Sequence, residues 1–312
     1  MKLGTNAVMS VVVPVYNEEA VLPALKERLL DLRRSLPMQV RFILVNDGST
    51  DRTGALLDNF VGEAEGIQAV HLSRNFGHQQ AVSAGLSLAT GDCVAVIDGD
   101  LQDPPEEIAR FLAKMEEGYD VVYAVRRNRK EDWFKKTAYS LFYQILARLS
   151  SISIPLDSGD FCLMRKTVVD RINEMPERHR FVRGLRCYAG YRQTGLEYSR
   201  DHRSAGHPKY TFWKLLELAA DGIFTFSAKP LKLATMLGFC SVLLALAYSS
   251  YIVIWRIFAG EQLPGFASII VVVLYLGSVQ LFCIGILGEY IGRIHDEVKG
   301  RPGFIISRIT ES

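Results

Sequence analysis

Two uncharged stretches close to the C-terminus constrain this chain more than any other feature. Residues 233–255 carry no charged side chain, and neither do residues 262–288. At about 1.5 Å per helical residue the first run alone reaches roughly 34 Å, enough to cross the hydrocarbon core of a bilayer. Two buried helices of a soluble protein are the competing reading, and adjacent uncharged runs of this length argue against it. Lys229 and Lys232 precede the first run, and Arg293, Lys299 and Arg301 follow the second. The intervening segment 257–265 has Glu261 but no Lys or Arg. The excess of positive charge on cytosolic flanks therefore predicts a multi-pass protein of the inner or plasma membrane, with the short loop outside. The expected division is a cytosolic domain over 1–230, two transmembrane helices at about 233–255 and 266–288 within 231–290, and a cytosolic tail over 291–312.

The rest of the composition excludes several classes. A net charge of +2 in 312 residues is too small to imply nucleic-acid binding. The five cysteines are scattered without a C-x-x-C pair, so neither a zinc site nor a disulfide framework is expected, and a reducing compartment suits them. Residues 1–9 lack the apolar core of a signal peptide.

Up to residue 126 the chain alternates two kinds of segment. Short β-branched runs at 10–15, 41–45, 69–72, 93–97 and 120–125 are separated by helix-like stretches at 18–36, 52–60, 79–89 and 104–117. Strands alternating with helices predict an α/β fold, Rossmann-like, with a mostly parallel sheet. Asp103, ahead of Pro104 and Pro105, reads as the cap of the last helix. In open sheets of this kind, ligands sit beyond the carboxyl ends of the strands. Polar groups collect there: Tyr16 to Glu18, Asp47 to Ser49, and Asp98 to Asp100.

The run Asp98-Gly99-Asp100-Leu101-Gln102-Asp103 places two carboxylates one residue apart at a strand end. Such a pair suits Mg²⁺ or Mn²⁺, hard cations that take oxygen ligands and keep phosphates as co-ligands. Asp98, Asp100 and the neutral oxygen of Gln102 form the candidate metal set, and Gly99 would let the backbone approach a bulky ligand. A D-x-D on a loop is also a common surface feature, and its place beside two other polar strand ends raises the metal reading above the bland one. Asp47-Gly48-Ser49-Thr50-Asp51 has two readings that are compatible: a turn with a helix cap, and a site where Asp47 accepts a hydrogen bond from a base edge.

Three runs together resemble a family 2 glycosyltransferase of the GT-A fold: Val13-Pro14-Val15-Tyr16-Asn17-Glu18-Glu19, Val45-Asn46-Asp47-Gly48-Ser49-Thr50-Asp51, and Asp98 through Pro104-Pro105-Glu106. The last run and Leu72-Ser73-Arg74-Asn75-Phe76-Gly77-His78-Gln79 are similar to polyprenyl-phosphate hexosyltransferases, a group that includes dolichol-phosphate mannosyltransferase. With two late apolar runs, the chain is most similar to the bacterial bactoprenol (undecaprenyl-phosphate) glucosyltransferases. The resemblance implies an inverting, metal-dependent transfer of one hexose, glucose from UDP-glucose, to polyprenyl phosphate. It also implies a homotetramer. Pro14, Tyr16, Glu18, Asp47 and Asp98 would hold the nucleotide sugar; Asp98, Asp100 and Gln102 would hold the metal. Asp157 becomes the candidate catalytic carboxylate beside Asp98 and Asp100, with Asp160 competing for that role. No Q-x-x-R-W run of the processive synthases is present, which points to one sugar per turnover. A different donor (GDP-mannose or a UDP-aminoarabinose type) and a non-catalytic nucleotide-sugar-binding scaffold are the alternatives. A nucleotidyltransferase would need a Gly-rich loop where Pro14 to Glu18 stand.

Basic groups supply the acceptor side. Arg126 ends a predicted strand, Lys135 follows in the cluster 126–136, and Arg200, Arg203 and Lys209 form a second cluster. Arg203 and Lys209 match the family's R-x-x-G-x-S-K pattern, with Pro208 replacing the Ser. A departing diphosphate and a lipid phosphate both call for such cations; solvated surface is the competing reading for Lys135. Residues 134–150 and 210–226 read as amphipathic helices suited to a membrane interface or to core packing.

Overall fold

The computed structural model describes residues 7–126, 158–178, 180–198, 227–259 and 265–311. The chain forms two compact units. The first holds a single sheet of eight described strands. They are β1 (Val8–Val15), β2 (Gln39–Asn46), β3 (Ile67–Leu72), β4 (Cys93–Val96), β5 (Val121–Arg126), β6 (Ser158–Arg165), β7 (Gln193–Tyr198) and β8 (Ile306–Glu311), ordered β7-β5-β6-β4-β1-β2-β3-β8. Six described helices accompany them: α1 (Leu22–Ser35), α2 (Thr53–Glu63), α3 (His78–Leu88), α4 (Glu107–Glu116), α5 (Lys166–Glu174) and α6 (Val182–Tyr188).

β1 lies at the centre, parallel to both β2 and β4, and is covered on both faces. Met9, Val11, Val13 and Val15 join the cluster that contains Leu22, Leu25, Leu29 and Leu32 of α1 and Phe111 of α4. The opposite face meets α3, whose Ala81, Val82 and Ala84 are buried. Burial on both faces explains the uninterrupted apolar reading of these strands. Pro14 sits inside this central strand without breaking a ladder bond. The β4 pairing ends at Val12↔Val96, and the Val15 carbonyl, one residue on, accepts the Asp47 amide on the β2 side. The proline nitrogen thus faces the β4 side, beyond the end of that strand.

The sheet is mostly parallel, as expected, with two antiparallel strands. β6 runs antiparallel between β4 and β5, and β8 runs antiparallel to β3 at the edge. Residues 306–311, expected in a tail, are therefore part of the first unit's sheet. α4 also starts later than expected. It begins at Glu107 with no side-chain cap, and the buried Asp103 carboxylate instead accepts a hydrogen bond from the Tyr198 hydroxyl.

The second unit contains α7 (Lys229–Ala259) and α8 (Phe266–Val298), which are antiparallel. Cys283 lies against the Ala234 carbonyl, and the Tyr290 hydroxyl donates to the Ser227 carbonyl at 2.6 Å. Both helices are long and apolar enough to cross a membrane, with mean hydropathy of 2.0 and 2.5 over their most apolar stretches. The hydroxyls of Thr235, Ser241 and Ser278 bond carbonyls one turn back, which satisfies them within the helix. A Cβ added at Gly277, Gly285 or Gly288 would meet nothing within 4 Å, so α7 does not use the close approach these glycines permit.

Candidate active site

The loops after β1 and β2 are stitched to each other. The Asn17 amide donates to Ser49 Oγ at 3.0 Å, and the Thr50 amide donates to Asn17 Oδ1 at 2.8 Å. Glu18 and Glu19 amides donate to Thr53 Oγ1 and Asp51 Oδ2. Asp51 Oδ1 also accepts the Thr53 amide at the start of α2, while Arg52 at the cap position makes no side-chain cap bond. These bonds hold Asn17 at a φ of 53°. Tyr16 stands at the rim, 38% exposed.

Asp47 is 3% exposed, and its two oxygens accept the amides of Phe76 at 2.7 Å and Gly77 at 3.0 Å. Burial raises its pKa even against those bonds. Asp47 thus shapes the 73–77 loop in addition to any bond with a base edge. Gly99, expected to admit a ligand, packs on β1 instead: a Cβ there would lie 2.6 Å from Val15 Cγ1 and 3.0 Å from the Pro14 carbonyl.

Beyond β4, Asp98 lies with Asp160 of β6 in a cluster to which α3 and α6 contribute. The register Val96↔Cys162, carried two residues further, brings Asp98 abreast of Asp160 at the start of β6. His78, the first residue of α3, places Nε2 3.3 Å from Asp160 Oδ2 and 3.5 Å from Asp98 Oδ1. Arg183 of α6 lies 3.4 Å from Asp160 Oδ1, and Gln79 donates to Asp160 Oδ2 at 2.9 Å while accepting the Val182 amide. Asp160 is therefore encased by cations. Burial opposes its ionisation, but Arg183 and His78 outweigh that and hold it well below the usual carboxylate range. A carboxylate so held is a charge partner and a poor proton acceptor. Burial pushes Asp98 up to about 6, with His78 opposing and Asp103, Asp160 and Asp100 adding to the rise.

Burial likewise disfavours charge on His78, yet the bond to Asp160 and the charge of Asp98 win and raise it to about 9. A histidine raised above its ordinary 6.5 stabilises the fold fully below pH 6.5 and loses that contribution as the pH climbs through 9. The gap in thermal midpoint between wild type and His78→Gln is expected to narrow across that interval. A gap independent of pH from 6.5 to 9 would contradict the ion-pair role.

The residues at the β4 end fit a divalent cation. Asp98 Oδ1 is buried without a hydrogen-bond partner, and Asp100 follows two residues on, its Oδ1 accepting the Gln102 amide. Among the described residues no group of three or more His, Cys, Asp or Glu forms a complete metal cage. Two carboxylates with remaining positions left to phosphate and water are the pattern that suits Mg²⁺.

The side chain of Arg126, at the end of β5, lies outside the described residues, as do Lys135, Asp157, Arg200, Arg203, Lys209 and the helices expected at 134–150 and 210–226. His78, Gln79 and Arg183 were not singled out as individual site residues from the sequence. The run ending in Gly77-His78-Gln79 was the available signal, since it opens a helix five residues after a strand.

Residues 10–172 match the model of glycosyl transferase family 2, and residues 229–294 match that of the GtrB C-terminal hairpin. The chain is 46% identical to the uncharacterized glycosyltransferase sll0501 of Synechocystis over 96% of this chain and 94% of that protein. It is 38% identical to the SfII prophage-derived bactoprenol glucosyl transferase of Shigella flexneri over 96% and 97% of the two chains. It is 34% identical to the undecaprenyl-phosphate 4-deoxy-4-formamido-L-arabinose transferase of Proteus mirabilis over 96% and 93%.

Proposed function

Since this chain belongs to glycosyl transferase family 2, we propose that it transfers one hexose, glucose from UDP-glucose, to a polyprenyl phosphate with inversion at the cytosolic face of a membrane. The observation that carries this reading is the identity to a bactoprenol glucosyl transferase, which runs through the α7–α8 hairpin as well as the sheet domain. The two relatives named for a lipid acceptor differ in the sugar they carry, so the donor is the part of the reading that rests on resemblance alone.

In this reading a phosphate oxygen of the lipid attacks the anomeric carbon as the bond to the departing UDP breaks. A phosphate with a second pKa near 6 is largely ionised at neutral pH. The acceptor therefore needs positioning more than deprotonation, and Asp157 is assigned to orienting it. Pro14, Tyr16, Glu18 and the loop at Asp47 hold the nucleoside. His78 and Arg183 keep Asp160 charged and add positive potential beside Asp98. Asp98, Asp100 and Gln102 would hold the divalent ion, which when bound neutralises charge developing on the leaving diphosphate. Arg126, Lys135, Arg200, Arg203 and Lys209 are assigned to the diphosphate and the lipid phosphate. α7 and α8 cross the membrane with both flanks on the cytosolic side.

One experiment tests chemistry and sidedness together. Inside-out vesicles supplied with radiolabelled UDP-glucose, Mg²⁺ and undecaprenyl phosphate are expected to yield labelled lipid, and sealed right-side-out vesicles are not. Label from another UDP- or GDP-sugar in place of UDP-glucose would overturn the donor. Equal labelling in both preparations would overturn the orientation.

A further inference from the structure

A buried histidine outside the carboxylate cluster stands in the middle of a hydrogen-bond chain that the transfer chemistry does not require. His71, near the end of β3, places Nε2 3.1 Å from Asp58 Oδ1 on α2 and Nδ1 3.1 Å from Asn46 Nδ2 at the end of β2. Asn46 Oδ1 accepts the Ser49 amide at 2.9 Å, and Ser49 Oγ accepts the Asn17 amide. His71 is 7% exposed and Asn46 6%.

Donors and acceptors assign every proton in the chain. Asn46 Oδ1 is committed to an N–H, so its Nδ2 faces His71 as a donor and Nδ1 of the ring carries no proton. The Asp58 carboxylate is an acceptor, so Nε2 carries the one proton. The Nε2–H tautomer satisfies both neighbours. A proton on Nδ1 would set two donors face to face, or turn the Asn46 amide over and take Oδ1 away from Ser49.

The outer end of this chain is gripped by the C-terminal strand. Arg308 Nη2 lies 2.6 Å from Asp58 Oδ2, and Thr310 Oγ1 donates to Asp58 Oδ1 at 2.8 Å. Ser307 Oγ donates to the His71 carbonyl at 2.9 Å. A second observation is independent of these bonds. Gly54 is the second residue of α2, and a Cβ there would sit 3.1 Å from Asn46 Nδ2. The missing side chain leaves room for the Asn46–His71 pair.

We propose that His71 is a positioning residue: through Asn46 it fixes the 47–51 loop at the nucleoside, and through Asp58 it ties that loop to strand β8. The proposal rests on the assignment of this loop to the nucleoside. Two substitutions separate positioning from packing. Leucine fills the ring's volume without an acceptor, whereas asparagine puts an oxygen near the place of Nδ1.

In the full chain, His71→Leu is expected to raise the Kd for UDP and the KM for UDP-glucose about tenfold, on the scale of one buried hydrogen bond. The turnover number should stay within about twofold. Without any nucleotide, amide exchange over residues 46–51 should accelerate. His71→Asn should recover most of both losses. Gly54→Ala, which presses on Asn46 while leaving His71 in place, should move both readouts in the same direction and serves if the leucine variant does not fold. Equal losses in the Leu and Asn variants, or unchanged exchange in Leu and in Gly54→Ala, would overturn the proposal. If wild type binds no UDP, the nucleoside assignment fails, and the exchange comparison alone decides whether His71 holds the loop.

Discussion

Asp100→Ala is expected to lower transfer of sugar to lipid by about 10³-fold while leaving membrane recovery and thermal midpoint close to wild type. The size follows from removing one preorganised electrostatic partner of the charge that develops on the leaving group. The small structural effect follows from the local geometry. Asp100 accepts the Gln102 amide at 3.1 Å, a turn bond whose loss costs about 1 kcal/mol. Asp98 would be a poorer choice for the same test, because it also faces His78, and its removal disturbs the ion cluster with Asp160. The check is an initial rate with saturating donor and acceptor, alongside Mn²⁺ binding to both proteins. Turnover near wild type in Asp100→Ala would remove the carboxylate pair from the reaction.

Gly48→Ala should damage both the fold and donor binding. Gly48 has φ of 64°, and a Cβ there would lie 2.3 Å from the Arg74 carbonyl carbon and 2.5 Å from the Asn75 nitrogen. Both are backbone atoms, so no side chain can swing aside. The left-handed backbone costs an alanine about 1 kcal/mol, and overpacking adds about 1–3 kcal/mol. An apparent midpoint lowered by roughly 5–10 °C is expected for a domain of this size. The loop can relieve the clash only by moving off residues 74–75, which pulls Asp47 from the Phe76 and Gly77 amides. Donor KM should rise more than tenfold as a result. A variant that melts and binds UDP like wild type would show that the contact between these two loops is dispensable.

Both predictions lean on residues that could be read in advance. Asp100 and Gly48 stand at strand ends whose β-branched runs are unambiguous, and each lies in a short motif with a physical reason for its spacing. The parallel strands β1 to β5 were legible because strands buried on both faces are written as continuous apolar runs. The two apolar helices were legible for the same kind of reason, since a length of uncharged chain is a local property.

β6, β7 and β8 were not legible. β6 reads Ser-Gly-Asp-Phe-Cys-Leu-Met-Arg, a run with a charged residue near each end and no β-branched side chain. β8 carries Arg308 and Glu311 on an exposed edge. Their strand character comes from the partners they pair with, β4, β5 and β3, which lie tens to hundreds of residues away. The same distance hid the site's ion cluster. From the sequence Asp160 only competes with Asp157 as a candidate carboxylate, and only the antiparallel register of β6 brings it abreast of Asp98, where His78 and Arg183 converge on it.

Local chemistry was thus sufficient for the fold class, the apolar hairpin and the carboxylates at the end of β4. It was sufficient because periodicity, turn residues and uncharged length act over a few neighbours. Which carboxylate is locked in ion pairs, and which loop is tied to the C-terminal strand through Asp58 and His71, was decided by the folded chain. Those facts are registers between strands distant in sequence, and no stretch of residues read by itself carries a register.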